Sequence, residues 1–333
     1  MRGSSGNPAV KVLLVVLLAI SAGCSSAQAQ STPVQPPSHD SAAQQSTPAA
    51  DPASPGAAVG AAASAQPPAP WWGLTVDSTD NLDSTVAAIA ALPEPPVVRL
   101  VFDVGEDPAS YRSAVTLLSE HADVMALVVD SSDFAALTVD EYLARFRTMV
   151  SLYGDQIDLW EIGNEVNGEW LGRPADVVQA ITGAEQIVRA QNLTPVLTLY
   201  YNPQCADDPA HEMFTWVEQQ LSSDFRDGLP YVLLSYYPDQ CGNRWPDAAS
   251  WQSTFDRVGT LFPHALVGIG EVGISDDHAS AADEVNLVNS CYGLHIQSDR
   301  YVGGCFWWYF VEDAVPHVGN SVWNALVKNM QGS

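Results

Sequence analysis

Two glutamates carry the first chemical clue. Residues 159–172 read LWEIGNEVNGEWLG, and Glu161 and Glu165 interrupt an apolar run of the kind that becomes a buried strand. A carboxylate removed from water is costly unless it is paired or put to use. Further along, Glu271 stands in GIGEVG, again among apolar neighbours. Two carboxyl groups facing each other across a cleft can divide the work of breaking a bond. One gives a proton to a departing oxygen while the other attacks carbon. Mutual repulsion and partial burial would keep one of them protonated near neutrality. The SDDH stretch at 275–278 reads as a solvated loop capping the next helix, so no catalytic metal is predicted, nor any other cofactor.

Such a pair needs a rigid frame. Eight short apolar runs alternate with longer amphipathic segments: 71–76, 96–102, 123–129, 157–163, 195–201, 230–236, 265–271 and 302–309. These runs lack strict alternation, which fits parallel strands covered on both faces. Helices are predicted between them, for example over 138–152 and 174–190, with a last one over about 320–331. Eight strand–helix units in this length match a (βα)8 TIM barrel. An open doubly wound sheet would call for a Gly-rich phosphate loop after its first strand, and WWGLTVDSTDNLD has none. In a barrel, chemistry gathers at the C-terminal ends of the strands. Those ends read Asp77, Asp103, Asp130, Asn164-Glu165, Tyr201-Asn202, Tyr236-Tyr237, Glu271 and Trp307-Trp308. Aromatic faces that stack on sugar rings, with carboxylates and amides that bond hydroxyls, point to carbohydrate.

With Asn164-Glu165 ending strand four in IGNE and Glu271 ending strand seven in GEVG, the whole of residues 71–331 resembles the clan A retaining glycoside hydrolases. The resemblance implies Glu165 as acid/base, Glu271 as nucleophile and Asn164 as partner of the sugar 2-hydroxyl. It also implies Arg99 and Tyr236 near the nucleophile, and a strand-eight tryptophan under the cleavage subsite, Trp307 before Trp308. The motif continues Val166-Asn167-Gly168 where many members have proline, and histidines of several families are missing from strands three and six. The resemblance therefore stops at the clan. Glu161 is read as a partner of Arg99, and Asp103 as a polar contact to substrate. Tyr237, Trp72 and Trp170 are read first as packing residues.

Composition sets the wider bounds. The 333 residues carry a formal net charge of −26, which repels nucleic acid and anionic membrane and leaves a neutral carbohydrate partner open. Arg2 and Lys11 form a positive start before a short apolar run, Val12–Ile20, which small residues follow, and this reads as an export signal over 1–24. SAGC resembles a bacterial lipoprotein signal in which Cys24 is lipidated, the only route to a membrane. The alternative is plain secretion or periplasmic release. Residues 25–70 are rich in Ala, Ser, Pro and Gln and read as a disordered tether, with the barrel domain at 71–333. Four cysteines beyond Cys24 suggest two disulfides in an oxidising compartment. On the barrel order, Cys205 and Cys241 follow neighbouring strands five and six, which leaves Cys291 for Cys305.

The expectation is an exported, monomeric retaining glycoside hydrolase acting on a poly- or oligosaccharide. The alternative is a surface carbohydrate-binding or adhesion protein that keeps the barrel without catalysis. Carboxyls about 5 Å apart in an open cleft favour the enzyme, and Glu271 paired off in a closed mouth favours the binder.

Overall fold

The structure is a computed structural model that describes residues 67–332 apart from 243 and 277. The export signal, the lipidation site Cys24 and most of the tether lie outside the described residues.

Eight parallel strands close into a barrel in sequence order. They are β1 (Trp71–Val76), β2 (Val97–Val101), β3 (Asp123–Leu127), β4 (Leu159–Gly163), β5 (Thr194–Tyr200), β6 (Tyr231–Tyr236), β7 (Leu266–Val272) and β8 (Tyr301–Trp307). Each of the eight predicted runs contains its strand or overlaps it to within two residues. The helices between them form the outer layer. Val139–Tyr153 begins on a capping box in which Thr138 and Glu141 satisfy each other's backbone amides. Pro174 opens Pro174–Arg189, where its missing N–H costs nothing, and Asn320 caps Ser321–Gln331.

Alternation along each strand divides the side chains between two cores. Outward residues pack under the helices. Inward residues Trp71, Val97, Met125, Leu159, Val196, Tyr231, Leu233, Val302 and Phe306 plug the barrel. Three of these nine are aromatic, and the Trp71 and Tyr231 rings lie 4.8 Å apart. Arg99, wholly buried, lies on it with its guanidinium carbon 5.4 Å from the centre of the Phe306 ring. Everything polar in the barrel thus sits above an apolar floor.

The expected disulfides both form. Cys205–Cys241 joins the loops after β5 and β6, and Cys291–Cys305 ties the helix Ala281–Tyr292 to β8. No helix among the described residues is long and apolar enough to cross a membrane.

Candidate active site

Two breaks in regular alternation bring the glutamates into the mouth. The pairing of β4 with β5 slips between Glu161 and Gly163. Glu161 therefore points inward within the strand, Asn164 points inward after it, and Glu165 follows with a left-handed backbone (φ 50°). A non-glycine residue held in that region stores strain that the surrounding structure must support. On the opposite side, the pairing of β6 with β7 skips Gly270, so Gly270 and Glu271 both face the interior. Only glycine fits there, because a Cβ at 270 would lie 2.6 Å from Leu233 Cβ.

Glu271 is surrounded by donors. Its Oε2 accepts from Arg99 Nη1 at 2.7 Å and from Asn164 Nδ2 at 3.1 Å, and its Oε1 accepts from the Tyr237 hydroxyl at 2.7 Å. Arg99 spans two carboxylates: Nη2 donates to Glu161 Oε1 at 3.0 Å, and Nε lies 2.9 Å from Glu161 Oε2. Asn164 also donates to Glu161 Oε1, while its own Oδ1 accepts from the Ser131 amide. Glu161 is the partner of Arg99 that the sequence suggested.

Glu165 has different company. Ser131 Oγ donates to its Oε2 at 2.8 Å, and the Ser235 hydroxyl donates to its Oε1. Both donors are neutral. Neither serine was singled out in the sequence, although Ser235 is the one polar residue in the apolar run YVLLSY.

Burial raises both carboxyls above their ordinary range; at Glu271 the charge of Glu165 adds to the rise and Arg99 opposes it. Burial also disfavours the charge on Arg99, but Glu161 and Glu271 more than offset this and hold it above its ordinary value. One cation faces three carboxyls in this cluster, so a proton must be retained. It belongs on Glu165, whose two hydroxyl donors stabilise an anion less than the guanidinium, amide and phenol around Glu271. Tyr237 stays protonated as a donor, because burial and then the charge of Glu271 push it well above its usual value.

Two sequence assignments need correcting. Tyr236 faces outward: its hydroxyl donates to the Arg244 and Cys241 carbonyls, and its ring packs on Tyr201, Trp245 and Trp251. Inward residues on this strand are Tyr231, Leu233 and Ser235, so Tyr237 is the next in phase and takes the place beside Glu271. Trp307 is likewise fully buried on the outer face, its indole N–H donating to Asp313 Oδ2 at 3.0 Å. Half-buried Trp308 continues the inward phase of Phe306. The Asp103 side chain is exposed at the lip, where its charge acts on Asp77. Asp130 caps the short helix Ser131–Phe134.

Solved structures share this architecture. A glucosidase from Croceicoccus marinus superposes with a TM-score of 0.53 at 13 % identity, over 79 % of this chain and 67 % of its own. Saccharomyces cerevisiae Gas2p in complex with laminaripentaose gives 0.47 at 14 % identity, over 78 % of this chain and 64 % of its own. A Thermotoga maritima family 1 glycoside hydrolase, complexed with a cyclophellitol analogue, gives 0.47 at 11 % identity over 70 % and 77 %. The chain thus spans 64–67 % of the length of the first two. No family model and no curated protein matches the sequence. What the first of these likenesses supports is the fold alone, the closed (βα)8 barrel that the strand order shows.

Proposed function

We propose that the protein is a retaining glycoside hydrolase that cleaves O-glycosidic bonds of an extracellular poly- or oligosaccharide. The observation that carries this reading is the unequal treatment of two carboxyls at one barrel mouth. A guanidinium, an amide and a phenol donate to Glu271, which favours its anion, whereas equally buried Glu165 has only two serine hydroxyls, which favours the acid. In the first step Glu271 attacks the anomeric carbon as the bond to the leaving oxygen breaks, and Glu165 gives that oxygen its proton. The product is a glycosyl ester on Glu271. In the second step Glu165, now a base, takes a proton from water as the water oxygen displaces Glu271. Asn164 Nδ2 gives its two hydrogens to Glu161 and Glu271, and in this reading one of them turns to the sugar 2-hydroxyl when substrate binds. The two disulfides suit an oxidising compartment and support export.

One observation favours the second reading, a carbohydrate binder on the same barrel. Glu165 and Glu271 are only 7 % and 4 % exposed, and Glu271 is ion-paired. A trapping experiment separates the two. Incubation with 2-deoxy-2-fluoro glycosides bearing good leaving groups should label Glu271 covalently, as read by peptide mass spectrometry. Saccharide binding without any label, and without turnover of a polysaccharide panel, would select the binder.

A further inference from the structure

The stretch that departs from the clan pattern, VNGEW, has a structural use. We propose that residues 167–170 form a platform for a sugar ring on the leaving-group side of the scissile bond, with the Trp170 indole as its stacking face. This rests on the glycosidase reading.

Asn167 is wholly buried, and its side chain brackets the end of β5. Nδ2 donates to the Tyr200 carbonyl at 2.9 Å, and Oδ1 accepts from the Tyr200 amide at 2.8 Å. That fixes Tyr200, which follows the inward residues Val196 and Thr198 into the mouth and feels the charge of Glu165. Trp170 packs edge-on against Tyr200, with ring centroids 5.4 Å apart. Gly168 permits the close approach of that indole, since a Cβ there would lie 2.6 Å from Trp170 Cζ2. Glu169 Oε1 accepts from the Asp208 amide at 2.9 Å and ties this loop to the one after β5. The indole is thus held from below and from one side, yet it is 43 % exposed, whereas Trp71, Trp160, Trp216, Trp251 and Trp307 are fully buried. A large apolar ring that is fixed in place and still partly open to water can receive the C–H face of a pyranose.

The direction follows from the chemistry. Glu165 protonates the leaving oxygen, so the leaving group lies on its side of the mouth. Glu165, Tyr200 and Trp170 run in that order out to solvent. A platform there gives binding energy only to substrates whose leaving group is itself a sugar. It implies a preference for oligosaccharide or polymer over simple glycosides.

The test compares the full chain with W170A and W170F on two substrate sets: cello-, laminari-, xylo- and manno-pentaose, and the matching glycosyl fluorides. Fluoride is too small to reach Trp170. W170A is expected to lower kcat/KM for the pentaose by about tenfold or more and to change the fluoride by less than about threefold, with W170F restoring most of the loss. Equal losses on both sets, or no loss on the pentaose, would overturn the platform. If no substrate is turned over, the glycosidase reading fails separately. Pentaose titration by tryptophan fluorescence then decides: binding lost in W170A keeps the stacking face, and binding that survives W170A, or no binding, removes it.

Discussion

Glu165 and Glu271 are alike in burial and unlike in company. Glu271 has a guanidinium, an amide and a phenol on its two oxygens, and Glu165 has two serine hydroxyls. The lesson is that depth alone does not assign roles. Burial pushes both groups towards the neutral form, and the charge on the donors decides which one gives up its proton. The largest expected effect tests that division directly. Glu271→Gln should lower turnover by about 10⁴-fold or more on every substrate, because an amide cannot form the ester. Glu165→Gln should cost about 10²–10⁴-fold on a sugar leaving group but far less on a glycosyl fluoride, which departs without a proton. Equal losses on the fluoride in both variants would mean that the roles are wrongly divided.

Arg99 is the source of the asymmetry, so its removal comes next. Arg99→Met leaves Glu161 and Glu271 buried without their cation. Breaking one partner out of a buried ion pair costs about 3–5 kcal/mol, measurable by denaturant unfolding at neutral pH. Without that charge Glu271 loses its proton at higher pH, so the acidic limb of kcat/KM should move upward. An unchanged acidic limb would show that Arg99 only supports the fold.

The serines sharpen the other side. Ser131 and Ser235 donate to Glu165 and favour its ionised form, so Ala at either position should raise its pKa further. A general acid works while protonated, and the basic limb of kcat/KM should therefore move to higher pH. At about 0.5–1.5 kcal/mol per hydrogen bond, the shift is about half to one unit for each serine. A basic limb that moves downward would count against Glu165 as the acid.

The barrel was legible because each strand is a separate apolar run with its own flanking signals, and the site because Asn164-Glu165 and Glu271 fall at strand ends. What could mislead was phase. A strand buried on both faces shows no polar alternation, so YVLLSYY does not announce which tyrosine looks inward. Ser235 held the answer, since a lone polar residue in such a run belongs with the mouth and puts Tyr237 in phase with it. The same holds for GGCFWW. Cys305 bonds to Cys291 on an outer helix, so Cys305 and Trp307 face outward, leaving Phe306 and Trp308 inside. The slips that carry Asn164 and Glu271 inward are backbone irregularities, marked in the sequence only by the glycines beside them, Gly163 and Gly270. Trp170 was read as packing because its exposure depends on Gly168 and Tyr200, one of them on another strand.

A half-buried carboxyl outside the Arg99 cluster extends the comparison, one with neither cation nor hydroxyl donors. Asp77, at the end of β1, is raised to about 8 by burial first and then by the charge of Glu312. Its Oδ1 is buried without a hydrogen-bond partner among the described residues. Between its ordinary value of 3.8 and about 8, the folded protein holds a proton on Asp77 that the unfolded chain has lost. Stability from this group is therefore fully present below about pH 4, falls as pH rises to about 8, and stays at its lowest beyond. Asp77→Asn keeps the shape and abolishes the charge. Its melting temperature should match the parent near pH 4 and exceed it by several degrees above pH 8, given about 2–4 °C per kcal/mol for a domain near this size. A constant gap at all pH values would mean that the substitution acts through packing. No gap at alkaline pH would mean that Asp77 ionises freely and that burial at this lip is shallower than it is around Glu165.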